Sequence, residues 1–333
     1  FIRFSIQRKA HLVIAGKDRI NIYVRPGGDD PFHPLQNRAI QSVYPPGSVW
    51  KLMMAGLFLK EGISPSFRVV CTGAVKLGNR EFRCWRKGGH GAVDMIQSLL
   101  HSCDVYYYVL GEKLGIDRIE SFAKACGFGA PTGIDLPHEK SGLVPSRAWK
   151  KRRSGEAWYR GETLNVSIGQ GYTLVTPLQM ANFVSSLLNG GKLMKPQLLV
   201  DAKPEVRGNI PFSEEARKLV LEGMRVTADV GTAKVLRRTD AVIGGKTGTA
   251  QVVKIRMVGE RRQRTAYLER DHAWIASYGR KDGKDVVVVV MLEHGGGGSS
   301  AAGPVARDVY NILYGTPLGP QPQRAVTRTV RED

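Results

Sequence analysis

The stretch Ala241-Val-Ile-Gly-Gly-Lys-Thr-Gly-Thr-Ala-Gln-Val-Val253 has β-branched residues at both ends and small residues between them. It reads as a strand whose glycines let another backbone approach closely. Two apolar runs follow, Ala273–Tyr278 and Asp285–Glu293, and their short or polar links predict antiparallel neighbours. Helical patterns dominate from Val49 to Leu188. This segregation of helices and strands argues an α+β chain rather than alternating units. Within the first stretch, Gly245-Lys-Thr247 looks like the end of a phosphate-binding loop. That loop needs a glycine five residues earlier, where Asp240 stands, so the reading fails.

Lys246-Thr-Gly248 is the last of three short strings in one order, after Ser48-Val-Trp-Lys51 and Ser102-Cys-Asp104. Ser48 follows Pro45-Pro-Gly47 and precedes the apolar run Leu52–Phe58, so it reads as a loop breaking into a buried helix. Residues three apart share a helix face, which brings Lys51 up beside the Ser48 hydroxyl. A base beside a serine activates it as a nucleophile. Each string alone is weak, and a capping serine with a surface lysine is the bland reading of the first. Their order and context give them weight.

The three strings resemble the set used by β-lactamases and penicillin-binding proteins, whose middle member bears Asn where this chain has Asp104. Longer stretches extend the match: Tyr44–Lys51, Trp158-Tyr-Arg-Gly-Glu-Thr-Leu-Asn-Val-Ser-Ile-Gly-Gln-Gly171, Thr176-Pro-Leu-Gln-Met-Ala181 and Gly245–Gln251. From about Asn37 to Tyr314 the chain resembles the transpeptidase domain of class B penicillin-binding proteins, and Asp104 favours their elongation-type penicillin-binding protein 2 group. The resemblance implies a serine β-lactamase/penicillin-binding transpeptidase fold: a five-stranded antiparallel sheet flanked by helices, plus a mostly helical lobe, with the active site between them. It implies a transpeptidase domain over residues 1–316 and a disordered tail over 317–333. Full-length relatives carry an N-terminal membrane anchor and a pedestal domain, so the chain resembles an excised catalytic domain at the periplasmic face of the cytoplasmic membrane. The region before Asn37 lacks the family's usual hairpin signature.

Carried over residue by residue, the resemblance makes Ser48 the acylated nucleophile and Lys51 its general base. Ser102 relays a proton toward the leaving amine, Asp104 helps hold the lysine and the substrate amide, and Lys246 adds positive field near Ser102. Thr247, Gly248 and Thr249 lie along the substrate, Thr247 binding a terminal carboxylate. The backbone amides of Ser48 and Thr249 form the oxyanion hole. A lysine ordinarily titrates near about 10.4. Burial and Lys246 would lower Lys51, and Asp104 would raise it. Glu162-Thr-Leu-Asn165 resembles the glutamate segment of class A β-lactamases, but its Glu and Asn are three apart instead of four.

The expected activity is D,D-transpeptidation of stem peptides ending in D-Ala-D-Ala, with β-lactams acylating the same serine and no cofactor needed for acyl transfer. A D,D-carboxypeptidase or β-lactamase-like hydrolase and a penicillin-sensing receptor domain are the alternatives. A membrane glycan polymerase and elongation-complex proteins are the partners the family implies.

Lys and Arg number 49 against 30 Asp and Glu, a net charge of +19. The charge is clustered in Lys150-Lys-Arg-Arg153 and in a polar insertion holding Lys254, Arg256, Arg261, Arg262, Arg264 and Arg270. No interleaved aromatics offer base stacking, which argues against nucleic acid. These clusters read as solvated loops or as attractors of carboxylate-bearing wall peptides or an anionic membrane. No apolar stretch approaches the ~18 residues of a membrane span.

Cys71, Cys84, His90 and Cys103 are spaced C-x12-C-x5-H-x12-C. Three thiolates and an imidazole suit a closed tetrahedral zinc site, which would pin the segment bearing Ser102 and Asp104. A disulfide and free thiols are the alternatives. Cys126 reads as a small buried residue at a helix end. His272 reads as a strand-start histidine, Tyr106-Tyr-Tyr108 as core packing, and Gly295–Ser300 as a flexible link to the helix Pro304–Tyr314.

Overall fold

The computed structural model describes residues 10–16, 20–23, 36–199, 201–252 and 270–316. The three C-terminal runs form the strands Val242–Ala250, His272–Lys281 and Lys284–Leu292. With Ala10–Gly16 and Ile20–Tyr23 they make a wholly antiparallel five-stranded sheet, in the order Ile20–Tyr23, Ala10–Gly16, Lys284–Leu292, His272–Lys281, Val242–Ala250. Val242–Ala250 is therefore an edge, with Lys246 opposite Ala276 and Gly248 opposite Trp274. The hairpin missed before Asn37 is thus present as the first two strands.

The valine run is apolar on both faces because both faces are covered. Val288 and Val290 pack with Ile275, Ala306 and Tyr310 from the C-terminal helix Gly303–Tyr314. Val287, Val289 and Met291 point the other way, into the main core shared with the helix Pro177–Leu188. The helix Lys51–Lys60 lies deeper still. Lys51 through Phe58 are all buried, so it has no polar stripe and is surrounded by the lobe. Tyr106, Tyr107 and Tyr108 are buried as expected.

Two features depart from the sequence reading. The nominally helical stretch contains two small antiparallel pairs, Val69–Cys71 with Gly91–Val93 and Ala74–Leu77 with Arg80–Arg83. The Gly295–Ser300 link is also more than flexible chain. It winds into the turn Gly298–Ala302, and a Cβ on Gly298 would lie 2.4 Å from the carbonyl oxygens of both Gly248 and Trp274. That glycine lets the turn press against the edge strand. The insertion residues Lys254, Arg256, Arg261, Arg262 and Arg264, and the 317–333 tail, lie outside the described residues. Among the described residues, no helix is long and apolar enough to cross a membrane.

Candidate active site

Ser48 sits in a 3-10 turn, Gly47–Trp50, that runs directly into the helix beginning at Lys51. Gly47 has φ +54°, and a Cβ there would come within 2.6 Å of the Thr249 carbonyl oxygen. Only glycine meets both conditions, and the serine turn consequently lies against the edge strand. The Gly47 amide donates to the Gly169 carbonyl at 2.9 Å, fixing the turn from the other side.

Lys51 is fully buried one turn below Ser48. Its Nζ donates to the Asp104 carboxylate at 2.6 Å and to the Ser102 carbonyl at 2.9 Å, and lies 3.4 Å from the Ser102 hydroxyl. Among the described residues no hydrogen bond joins Lys51 to the Ser48 hydroxyl. Ser102 has φ +53°, an uncommon conformation for a residue with a side chain. It presents both its carbonyl and its hydroxyl to the lysines. Lys246 Nζ reaches the same hydroxyl at 2.8 Å and the Thr247 carbonyl at 3.0 Å. Burial, and then the nearby Lys51 charge, hold the Lys246 amine well below the usual lysine range. One hydroxyl thus links two buried amines, one ion-paired and the other disposed to be neutral.

The second Asp104 oxygen accepts the Trp85 backbone amide at 3.0 Å. Trp85 itself is 60% exposed, with its indole nitrogen donating to the His101 carbonyl at 2.9 Å. The Asp104 amide in turn donates to Cys84 Sγ at 3.4 Å. Asp104 therefore joins the lysine to the cysteine cluster. The ligand atoms of Cys71, Cys84, His90 and Cys103 all lie within 4.8 Å of one another. His90 Nδ1 faces the sulfurs of Cys71 at 3.6 Å and Cys84 at 3.5 Å. Neighbouring sulfurs on tetrahedral zinc lie about 3.8 Å apart, so this donor set and its spacing fit the ion. The His90 ring is oriented by its stack on His101, with centroids 5.6 Å apart. The Cys103 thiol hydrogen-bonds Cys84 and draws the latter's pKa down to about 5, while Cys103 is pushed up. All four cysteines are free and buried in the structure. Cys126 is buried at the end of the helix Ile116–Ala125, as expected.

Three neighbours of the site carried no assigned role in the sequence. The Thr247 hydroxyl donates to the Thr232 hydroxyl at 2.9 Å. Thr232 belongs to Gly231-Thr-Ala233, which closes the helix Glu214–Val230, and no spacing rule links it to Thr247. Gln170 Nε2 donates to the Thr249 carbonyl at 3.1 Å. Trp85, described above, is the third. Thr249 is exposed, and Gly248 packs against Pro46 and Val49 of the serine turn. Glu162 is fully committed: one oxygen takes Lys150 Nζ at 2.5 Å and the other the Tyr159 amide at 2.8 Å. His272 is a satisfied strand-start residue, its Nδ1 accepting the His294 amide at 3.1 Å.

A half-exposed serine on a turn, buried lysines meeting at a second serine, and an open strand edge beside them are the features of the active-serine class of penicillin-interacting folds. The family model described as "Penicillin binding protein transpeptidase domain" matches residues 4–311, and the chain belongs to this family. It is 37% identical over 273 residues to a peptidoglycan D,D-transpeptidase MrdA of Acinetobacter baumannii, covering 78% of this chain and 40% of the relative. Against the MrdA of Escherichia coli K12 the identity is 38% over 240 residues, covering 67% of this chain and 38% of the relative. The chain thus spans less than half the length of these curated relatives. Pseudomonas aeruginosa PBP2, solved in complex with WCK 5153, superposes with a TM-score of 0.81 at 31% identity, covering 92% of this chain and 74% of that one. Helicobacter pylori PBP2 in complex with MreC gives a TM-score of 0.79 at 29% identity, covering 92% and 60%.

Proposed function

We propose that this chain is the catalytic domain of a peptidoglycan D,D-transpeptidase of the elongation type. The observation that carries the reading is the buried Lys51–Asp104–Ser102–Lys246 network beneath the Ser48 turn, beside a strand edge that no other strand pairs among the described residues. A stem peptide ending in D-Ala-D-Ala adds along Val242–Ala250 through main-chain hydrogen bonds, its terminal carboxylate at the Thr247 hydroxyl. Neutral Lys51 takes the Ser48 proton as base, and the Ser102 hydroxyl, which links Lys51 to Lys246, carries that proton toward the leaving amine. Ser48 Oγ bonds to the penultimate D-Ala carbonyl carbon, while the amides of Ser48 and Thr249 receive the oxyanion. The C–N bond breaks as Ser102 protonates the departing D-alanine. An amine of a neighbouring stem then attacks the ester, and Ser48 regains its proton.

Glu162 is unavailable to activate a water, which supports the transferase over a hydrolase. Intact-mass spectrometry after incubation with a penicillin tests the proposal. A persistent single adduct is expected. Its rapid loss would mean a β-lactamase-like or carboxypeptidase activity, and no adduct on folded protein would sink serine acylation. A transpeptidase must also join stem peptides, whereas a penicillin sensor would not.

The Thr232 hydroxyl orients that of Thr247. Thr232→Val is expected to slow penicillin acylation about 3- to 10-fold, the worth of one neutral hydrogen bond. The loss should fall on binding rather than on the rate of the bound complex, as a concentration series would resolve.

The reading places its action at the periplasmic face of the cytoplasmic membrane, where the wall peptides are joined. MreC-type and polymerase partners are proposed by analogy with the Helicobacter complex and with a solved peptidoglycan synthase complex. Cys71, Cys84, His90 and Cys103 would hold a zinc ion, which would supply rigidity rather than reaction chemistry. Native mass spectrometry is expected to find a single zinc per chain. Chelation should lower the melting temperature, with recovery on adding zinc. A metal-free chain of unchanged stability would refute the assignment.

A further inference from the structure

The cationic run Lys150–Arg153 is divided by the fold. It forms part of a helix, Arg147–Ser154, capped by the Ser146 hydroxyl, and is not a loop. Lys150 is 3% exposed and pinned between Glu162 at 2.5 Å and Glu156 at 3.4 Å, which fastens the helix to the body. Lys151, Arg152 and Arg153 are exposed, and no salt bridge reaches them among the described residues. As consecutive helix residues they fan out around the helix end, where their unneutralised charge attracts an anionic partner.

Arg153 lies over the Trp149 ring, 5.5 Å from its centroid, and Trp149 packs at 5.0 Å against Tyr172, which is 40% exposed. Tyr172 stands two residues beyond Gln170, whose amide holds the Thr249 carbonyl, and three beyond Gly169, whose carbonyl holds the serine turn. Leu174 pairs with Leu143 in both directions, tying this segment to the one that leads into the basic helix. A cationic, aromatic platform therefore continues from the Thr249 end of the edge strand.

We infer that this platform docks the carboxylate-bearing glycopeptide polymer whose stems enter the cleft. The inference rests on the transpeptidase reading. The polymer's carboxylates meet Lys151, Arg152 and Arg153, while an apolar sugar or peptide face lies on Trp149 and Tyr172. Continuity with the cleft favours this occupant over an anionic membrane, which would need no aromatic pair beside Gln170.

The test measures binding of uncross-linked glycan strands carrying pentapeptide stems to wild type and to the Lys151→Gln, Arg152→Gln, Arg153→Gln triple variant, across a salt series. Binding should weaken roughly 10-fold in the triple variant, with a flatter salt dependence. Strands amidated at their side-chain carboxylates, with the terminal D-Ala carboxylate left free for the cleft, should bind wild type as poorly as intact strands bind the variant. Penicillin acylation of the variant should match wild type, which also confirms its folding, and Arg152→Gln alone should give a partial loss. Equal binding of intact strands by both proteins, or equal binding of intact and amidated strands, would overturn the inference. So would a charge dependence confined to phosphatidylglycerol vesicles. If wild type forms no penicillin adduct, the underlying functional reading fails instead.

Discussion

Ser48→Ala is expected to abolish the covalent penicillin adduct while leaving the protein folded. The hydroxyl sits in the half-exposed first turn before a fully buried helix, and its removal takes away no hydrogen bond among the described residues. The melting temperature should therefore move little. Deleting the attacking atom of a nucleophile–base unit typically costs on the order of 10^4- to 10^6-fold in rate. Intact mass should show the unmodified chain after hours with drug, and an adduct surviving in the alanine variant would place the nucleophile elsewhere.

Asp104→Ala should produce the largest loss of stability of any single change in the site. It leaves Lys51, which no water reaches, without its carboxylate, and removes the acceptor for the Trp85 amide. Breaking one side of a buried pair costs about 3–5 kcal/mol because the remaining charge is uncompensated. Asp104→Asn keeps an oxygen toward Lys51 and should lose less. Denaturant unfolding of the two variants measures the difference, and penicillin acylation should fall in both. An alanine variant as stable as wild type would mean that Lys51 rests neutral or finds another partner.

What could be read without coordinates follows a physical division. The three C-terminal strands were legible because their apolar runs are long and bounded by polar links, and each agrees with the structure to within a few residues. Ser48 and Lys51 were legible in place, at the head of a buried helix, whereas the expected pairing of Lys51 with the Ser48 hydroxyl is replaced by its bonds to Asp104 and Ser102. The cysteine cluster was legible as a group of residue types, although its spacing left the pairing open. The Ala74–Leu77 and Arg80–Arg83 pair was not, since these four-residue strands bury only Phe82 and so lack an apolar alternation. Thr232 was invisible because its contact with Thr247 joins a helix end to a strand. Lys150 read as solvated with its three neighbours, and Glu162, Glu156 and the Tyr159 ring, all later in the chain, cover it.

The edge strand has a consequence beyond catalysis. Backbone left free for a guest peptide is equally free for the same strand of another molecule, and exposed edges are where sheets from separate chains join. Val242–Ala250 limits that risk through its composition. Gly244, Gly245 and Gly248 give a second strand no side chains to grip, and Lys246 directs its amine inward beneath Ser102. The serine turn overhangs the same edge through Gly47, so an approaching strand meets a lobe before it meets free amides. The glycines that open the edge thereby also disfavour its pairing with a second copy, and bulky β-branched replacements at them would favour self-association as well as obstructing the cleft.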